Sequence, residues 1–246
     1  FERFHQELAH ARPMLGEFID MLDLAFLEDT FEYHGEHYDL PSTHISARPV
    51  NGLPEIWIAG DHEYGHRLCA RKGYVPMFTG RWLGPDYQRQ QREYIAKSYV
   101  AEGRDPDTMP LAVQRFMGVT KTREETLAYV DNARHQMRLA SALRRRAEVT
   151  DGAMMREIPI PDEPPLEEIA DQLLVGDCET IAERLCNEIQ ACRPLHMMFH
   201  FQVGASAHAH ALMTMEKLMT DIKPMVEKEL GPLETLGQTT AATQGT

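Results

Sequence analysis

The sequence predicts an α/β fold on parallel strands, amounting to part of a (β/α)8 TIM barrel. Three observations predict it. Short apolar runs of the kind buried in a parallel sheet alternate with amphipathic stretches of helix length. Residues 53–80, LPEIWIAGDHEYGHRLCARKGYVPMFTG, read as one complete strand, turn, helix and strand. Only four core strands can be counted, at 56–59, 75–79, 111–119 and 195–203, whereas a closed barrel needs about eight.

Taken in order, residues 7–27 carry Leu15, Ile19, Leu22 and Phe26 on one helical face, with Phe18 and Ala25 beside it. FEYHGEHYDLP, residues 31–41, is a connection with Gly35 at the bend between two short extended pieces. HISARPV, 44–50, suggests an edge strand stopped by Pro49. After the 56–59 strand, Asp61 is the natural N-cap of a helix over 62–72, and Gly73 suits its left-handed C-terminal position. Residues 85–103 form the next helix, with Tyr87, Tyr94, Ile95 and Tyr99 facing inward. A strand at 111–119 leads to a long helix over 122–147, whose basic end, Arg144 to Arg146, complements the helix macrodipole. Residues 151–165, rich in Pro, Asp, Glu and Met, are a surface excursion. A short extended piece, Gly176 and the N-cap Asp177 then open a helix that runs to Cys192. The last strand is followed by a helix over 209–230, with His208 and His210 solvated at its start. Residues 1–230 are thus one barrel-type domain, and 231–246 a disordered polar tail.

Bulk properties bound the function. The 246 residues are 43% hydrophobic and 26% charged, as in a globular protein. A formal charge of −13 argues against nucleic acid or an anionic membrane as partner. No apolar run approaches a membrane span. The four cysteines, Cys69, Cys178, Cys186 and Cys192, have neither CxxC nor disulfide-framework spacing, which fits a reducing, cytoplasmic location.

Four stretches in their order give a specific likeness. FEYHGEHYDLP, RPVNGLPEIWIAG, LLVGDCETIAERL and the final helix with Met215, Leu218, Ile222 and Pro224 resemble the C-terminal part of the bacterial luciferase-like, flavin-dependent monooxygenases. The resemblance begins at that family's fourth helix and covers nearly the whole chain, which starts at Phe1 without a methionine. It implies a piece lacking the barrel's first four strands. It also implies reduced FMN, or a deazaflavin coenzyme in some relatives, together with oxygen and a small organic substrate. A separate flavin reductase and a homo-oligomer are further expectations, the latter because an open barrel exposes an apolar sheet edge.

Within this frame, the turn Ala59-Gly60-Asp61-His62 falls where the resemblance places the flavin phosphate on backbone amides. Asp61 stands where the family usually has serine, and a carboxylate beside a phosphate is repulsive; His62, Arg81 or an arginine from the missing half of the barrel can offset it. Trp82 walls the flavin or caps the barrel. Arg115, charged within a strand, needs a carboxylate or a ligand. Period two puts His200 and Gln202 on one face near a strand end, as pocket lining or as satisfied interior groups. Catalytic residues are not identifiable. HEYGH, residues 62–66, matches the zinc-protease string and makes a hydrolase through His62, Glu63 and His66 the alternative. Gly65 and the helix-start position speak against metal, and no metal site is expected. A catalytically incomplete flavin-binding chain is the third reading.

Overall fold

The computed structural model describes residues 4–5, 7–51 and 53–236, which form two compact units, Phe1–Ile56 and Trp57–Thr246. In the first, a 3₁₀ turn, Leu8–His10, leads into helix α1, Ala11–Leu27, which buries Ile19 and Ala25. Strands β1, Phe31–His34, and β2, Asp39–Thr43, pair antiparallel as the turn-bearing connection predicts. The Glu17 carboxylate holds their turn by accepting the amides of Glu36, His37 and Tyr38 at 2.9, 3.0 and 3.0 Å. Residues 44–50 do not form the expected edge strand: they follow an irregular path, with Arg48 3.1 Å from Asp29. Alternation alone cannot make a strand without a partner to hydrogen-bond.

The second unit is the alternating one. Strands β3, Trp57–Ala59, β4, Val75–Thr79, and β5, Ala112–Val119, are consecutive parallel neighbours. Helices α2, Glu63–Lys72, and α3, Pro85–Ala101, connect them. Beyond β5 the sheet divides. Ala112 to Phe116 pair in parallel with β9, His196–His200, while Met117 to Val119 pair with the short β8, Leu174–Gly176. All four strands read from the sequence are therefore present and parallel. β5 is buried at every one of its eight positions.

The two faces of the sheet differ. Phe78 and Val113 pack with Ile95 and Tyr99 of α3. Met117 and Phe199 pack with Leu185 of α6, Cys178–Cys192, and with Val226 of α8, Lys223–Leu230. The opposite face carries Trp57 against His196, ring centroids 4.8 Å apart, and Phe116 against His200 at 5.7 Å. Met198 and His200 on that face are exposed.

Helix α4, Arg123–Arg145, opens on a capping box made by Thr122 and Glu125. It covers the upper end of the open face: the Tyr129 hydroxyl donates to the carbonyls of Met117 and His200 at 2.7 and 3.1 Å. Gly118 leaves room for that ring, since a Cβ there would lie 2.6 Å from it.

The excursion after α4 contains a small hairpin, β6, Thr150–Asp151, and β7, Met154–Met155, then α5, Leu166–Gln172, which composition does not announce. The expected final helix is divided into α7, His208–Lys217, a π-helical segment, Leu218–Ile222, and α8. Tyr94 is 38% exposed instead of inward, and His210 is half-buried with its Nε2 2.7 Å from the Val119 carbonyl. Leu233–Leu236 form a last helical turn, α9, and the remainder of the proposed polar tail lies outside the described residues.

Candidate functional site

The site forms where β3 and β4 end. Asp61 is not the cap of α2. His62 is, with extended backbone (φ −124°, ψ 144°) and its Nδ1 accepting the Gly65 amide at 3.1 Å. An imidazole with a free ring nitrogen can satisfy a first-turn amide as a carboxylate does. Asp61 is thereby released. Its carboxylate meets Arg81 Nη2 at 3.1 Å and Arg144 Nη1 at 3.9 Å. Gly73 closes α2 in the left-handed conformation, φ 74°, as predicted.

These residues border an open cavity of about 260 Å³, lined by Ala59, Gly60, Asp61, Thr79, Arg81 and Arg144, with Met77, Phe78 and Tyr87 as its apolar part. The Arg81 guanidinium lies 5.9 Å from the centre of the Tyr87 ring, within cation–π range. Two guanidinium groups against one carboxylate leave the cavity mouth net positive. A phosphate monoester fits that donor set, because it can take Arg81 from Asp61 and still face Arg144.

Gly60 itself offers no donor: its N–H already binds the Met77 carbonyl at 3.1 Å. Its φ of 158° borders on extended backbone, and a Cβ would make only ordinary contact with the His62 ring at 3.5 Å.

Arg115 finds the carboxylate and not a ligand. All five of its N–H groups are used: Nε and Nη2 on Glu188, Nη1 on the carbonyls of Arg81 and Leu83, Nη2 also on that of Gln172. It is wholly buried on the helix side of β5 and steadies the loop that carries Arg81. Trp82, in that loop, packs on the cluster of Phe116, Tyr129 and Val130. His200 and Gln202 are exposed, and Gln202 Nε2 reaches the Ser206 carbonyl. The structure thus gathers Ala59, Gly60, Asp61 and His62 at one turn, while Trp82, Arg115, His200 and Gln202 fall elsewhere.

His62 and His66 do not face a common open site, since His66 is 2% exposed with Nε2 3.2 Å from the Gly60 carbonyl. Among the described residues, no group of three or more His, Cys, Asp or Glu is placed to hold a metal.

Arg144 is the site residue that the sequence did not disclose as one. It lies far along the chain from Asp61, and its place follows only from the run of α4, roughly 35 Å for 23 residues.

The luciferase-like monooxygenase model matches residues 1–192, and the chain belongs to that family. Protein y4vJ of Sinorhizobium fredii (strain NBRC 101917 / NGR234) is 27% identical over 236 residues, 95% of this chain and 67% of its own. In structure the chain is similar to the monooxygenase RslO1 of Streptomyces bottropensis, with TM-score 0.69, 13% identity, and coverage of 91% of this chain and 64% of that one. It is also similar to an F420-dependent secondary alcohol dehydrogenase, in complex with an F420-acetone adduct, with TM-score 0.64, 12% identity, and coverage of 90% and 63%. These likenesses give the fold, the α/β barrel type, of which the chain holds an open parallel sheet. The chain spans less than two thirds of either protein's own length. Among the described residues, no helix is long and apolar enough to cross a membrane.

Proposed function

We propose that the chain forms part of a flavin-dependent monooxygenase, with the turn Ala59-Gly60-Asp61-His62, Arg81 and Arg144 receiving the phosphate of reduced FMN. The observation that carries this is the convergence of two arginines on one carboxylate at the ends of adjacent parallel strands, beside an open cavity. Ligands in parallel α/β proteins bind at the carboxyl ends of strands. When bound, reduced flavin would supply the electrons for activating oxygen, of which one atom would pass to an organic substrate and the other leave as water.

In this reading Arg81 and Arg144 neutralise the phosphate, Tyr87 and Met77 pack on what adjoins it, and Arg115 with Glu188 fixes the Arg81 loop. Trp82, His200 and Gln202 belong on the substrate side, the latter two on the exposed face. Residues 1–230 serve as the C-terminal part of a barrel domain, a division that the greater length of the structural relatives supports. The substrate is a small organic molecule, a separate reductase supplies the flavin, and the protein works in the cytoplasm as a homo-oligomer.

Titration with FMN tests this. Arg81→Ala and Arg144→Ala should each weaken binding; no FMN binding, or affinity unchanged in both variants, would overturn it. A deazaflavin coenzyme is the second reading, favoured by the likeness to the F420-dependent dehydrogenase.

A further inference from the structure

Both backbone polar groups of Gly60 are committed. Its N–H goes to Met77, and its carbonyl lies 3.2 Å from His66 Nε2. A carbonyl can only accept, so Nε2 carries the proton and His66 is the Nε2–H tautomer. The remaining ring nitrogen, Nδ1, is buried with no partner, although a buried polar atom ordinarily finds one. The ring is held edge-on against Tyr94, with centroids 5.3 Å apart, and burial lowers its pKa below the ordinary histidine value. A neutral imidazole with one orphaned nitrogen is an expensive way to fill space inside α2. What it does achieve is a fixed orientation for one peptide group.

In a trans peptide the carbonyl of one residue and the N–H of the next point in opposite directions. Holding the Gly60 carbonyl toward His66 therefore turns the Asp61 N–H away from His66, in a turn whose Gly60 and Asp61 line the cavity. We propose that His66 is a positioning residue, whose Nε2–H fixes the Gly60–Asp61 peptide so that the Asp61 N–H donates to the phosphate end of the cofactor. This rests on the reading of the turn as the phosphate site. It gives the buried half of the HEYGH string a role that needs no metal.

The test compares FMN with riboflavin, which is the same ring without the phosphate, on the whole chain and on His66→Leu and His66→Gln. The wild type should prefer FMN. His66→Leu should lose about tenfold of that preference with riboflavin affinity unchanged, and His66→Gln, whose amide can still donate to the Gly60 carbonyl, should restore it. A His66→Leu protein with the wild-type preference would overturn the role of His66 while leaving the phosphate site intact. A wild type that does not distinguish the two flavins would overturn the phosphate site and this role with it. If His66→Leu does not fold, the wild type decides by NMR. The Asp61 amide resonance should move with FMN and not with riboflavin, and the His66 ring should show the Nε2–H tautomer. An unmoved Asp61 amide would overturn the proposal.

Discussion

Arg115 and Glu188 form a two-point ion pair wholly inside the protein, with Nη2 2.6 Å from Oε1 and Nε 3.0 Å from Oε2. The pair ties β5 to α6, and the other arginine donors tie both to the loop after β4. Removing one partner strands a buried charge, so Glu188→Gln and Arg115→Met should each cost about 3–5 kcal/mol. Replacing both by apolar residues should cost less than the sum of the single changes. A urea-unfolding double-mutant cycle measures this, and additive single effects would contradict it. Gly80→Ala should also destabilise, because a Cβ there would lie 2.5 Å from Arg115 Cδ in a side chain fixed at five points.

Which residue caps α2 has a direct test. His62→Ala should lose about 1 kcal/mol of stability. Asp61→Ser should change stability by less than about 0.5 kcal/mol, because the exposed carboxylate pairs only at the surface. It should tighten FMN binding by about 1 kcal/mol or more, since it frees both arginines and removes a like charge from beside the phosphate. Chemical denaturation and flavin titration of the same two proteins give the answer. A large stability loss in Asp61→Ser would return the capping role to Asp61.

Much of this architecture was legible. The sequence pattern marked four of the five strands of the main sheet, most plainly β5, which is buried on both faces, while β8 read only as a short extended piece; Gly73 and Asp177 marked helix ends by backbone and capping preference. The turn at Gly60 was legible for the same reason: a strand ended there and a helix began. Distance in sequence hid the rest. Nothing near Arg115 announced Glu188, and nothing near Asp61 announced Arg144, because such pairs are made by the packing of whole helices. The capping exchange between Asp61 and His62 was missed because aspartate is the usual cap and histidine a rare one.

The pH response of His66 has a definite sign. Burial is the principal cause of its lowered pKa, opposed by the hydrogen bond to the Gly60 carbonyl; His62 lowers it further, and Asp61 and Glu63 raise it. Tyr94 completes its surroundings. The unfolded chain therefore takes up this proton at a higher pH than the folded one. Stability should fall as pH drops below about 6.5 and level off once the folded-state pKa is passed. Thermal unfolding across this range should show a shallower slope in His66→Gln. An equal slope would mean that another group carries the effect.

The thiols should divide by burial. Cys69 and Cys192 are fully buried, with their pKa values pushed up to about 12, principally by desolvation. Neither should react with iodoacetamide in the native protein at pH 8, since the thiolate is the reacting form. Cys178, partly exposed at the start of α6, should be labelled first. Mass spectrometry of briefly alkylated native protein checks this; early labelling of Cys192 would contradict it.

β5 shares its backbone with three neighbours: β4, β9 and β8. The 76 residues 120–195 separate it from the start of β9. No local opening can free its amides without parting strands contributed by distant parts of the sequence. Hydrogen exchange in β5 should therefore proceed only through global unfolding, and its slowest amides report the full free energy of the fold. Closing pairings of such span is also the slow part of assembly. The residues that steady the Arg81 loop thus become ordered only when the whole sheet does.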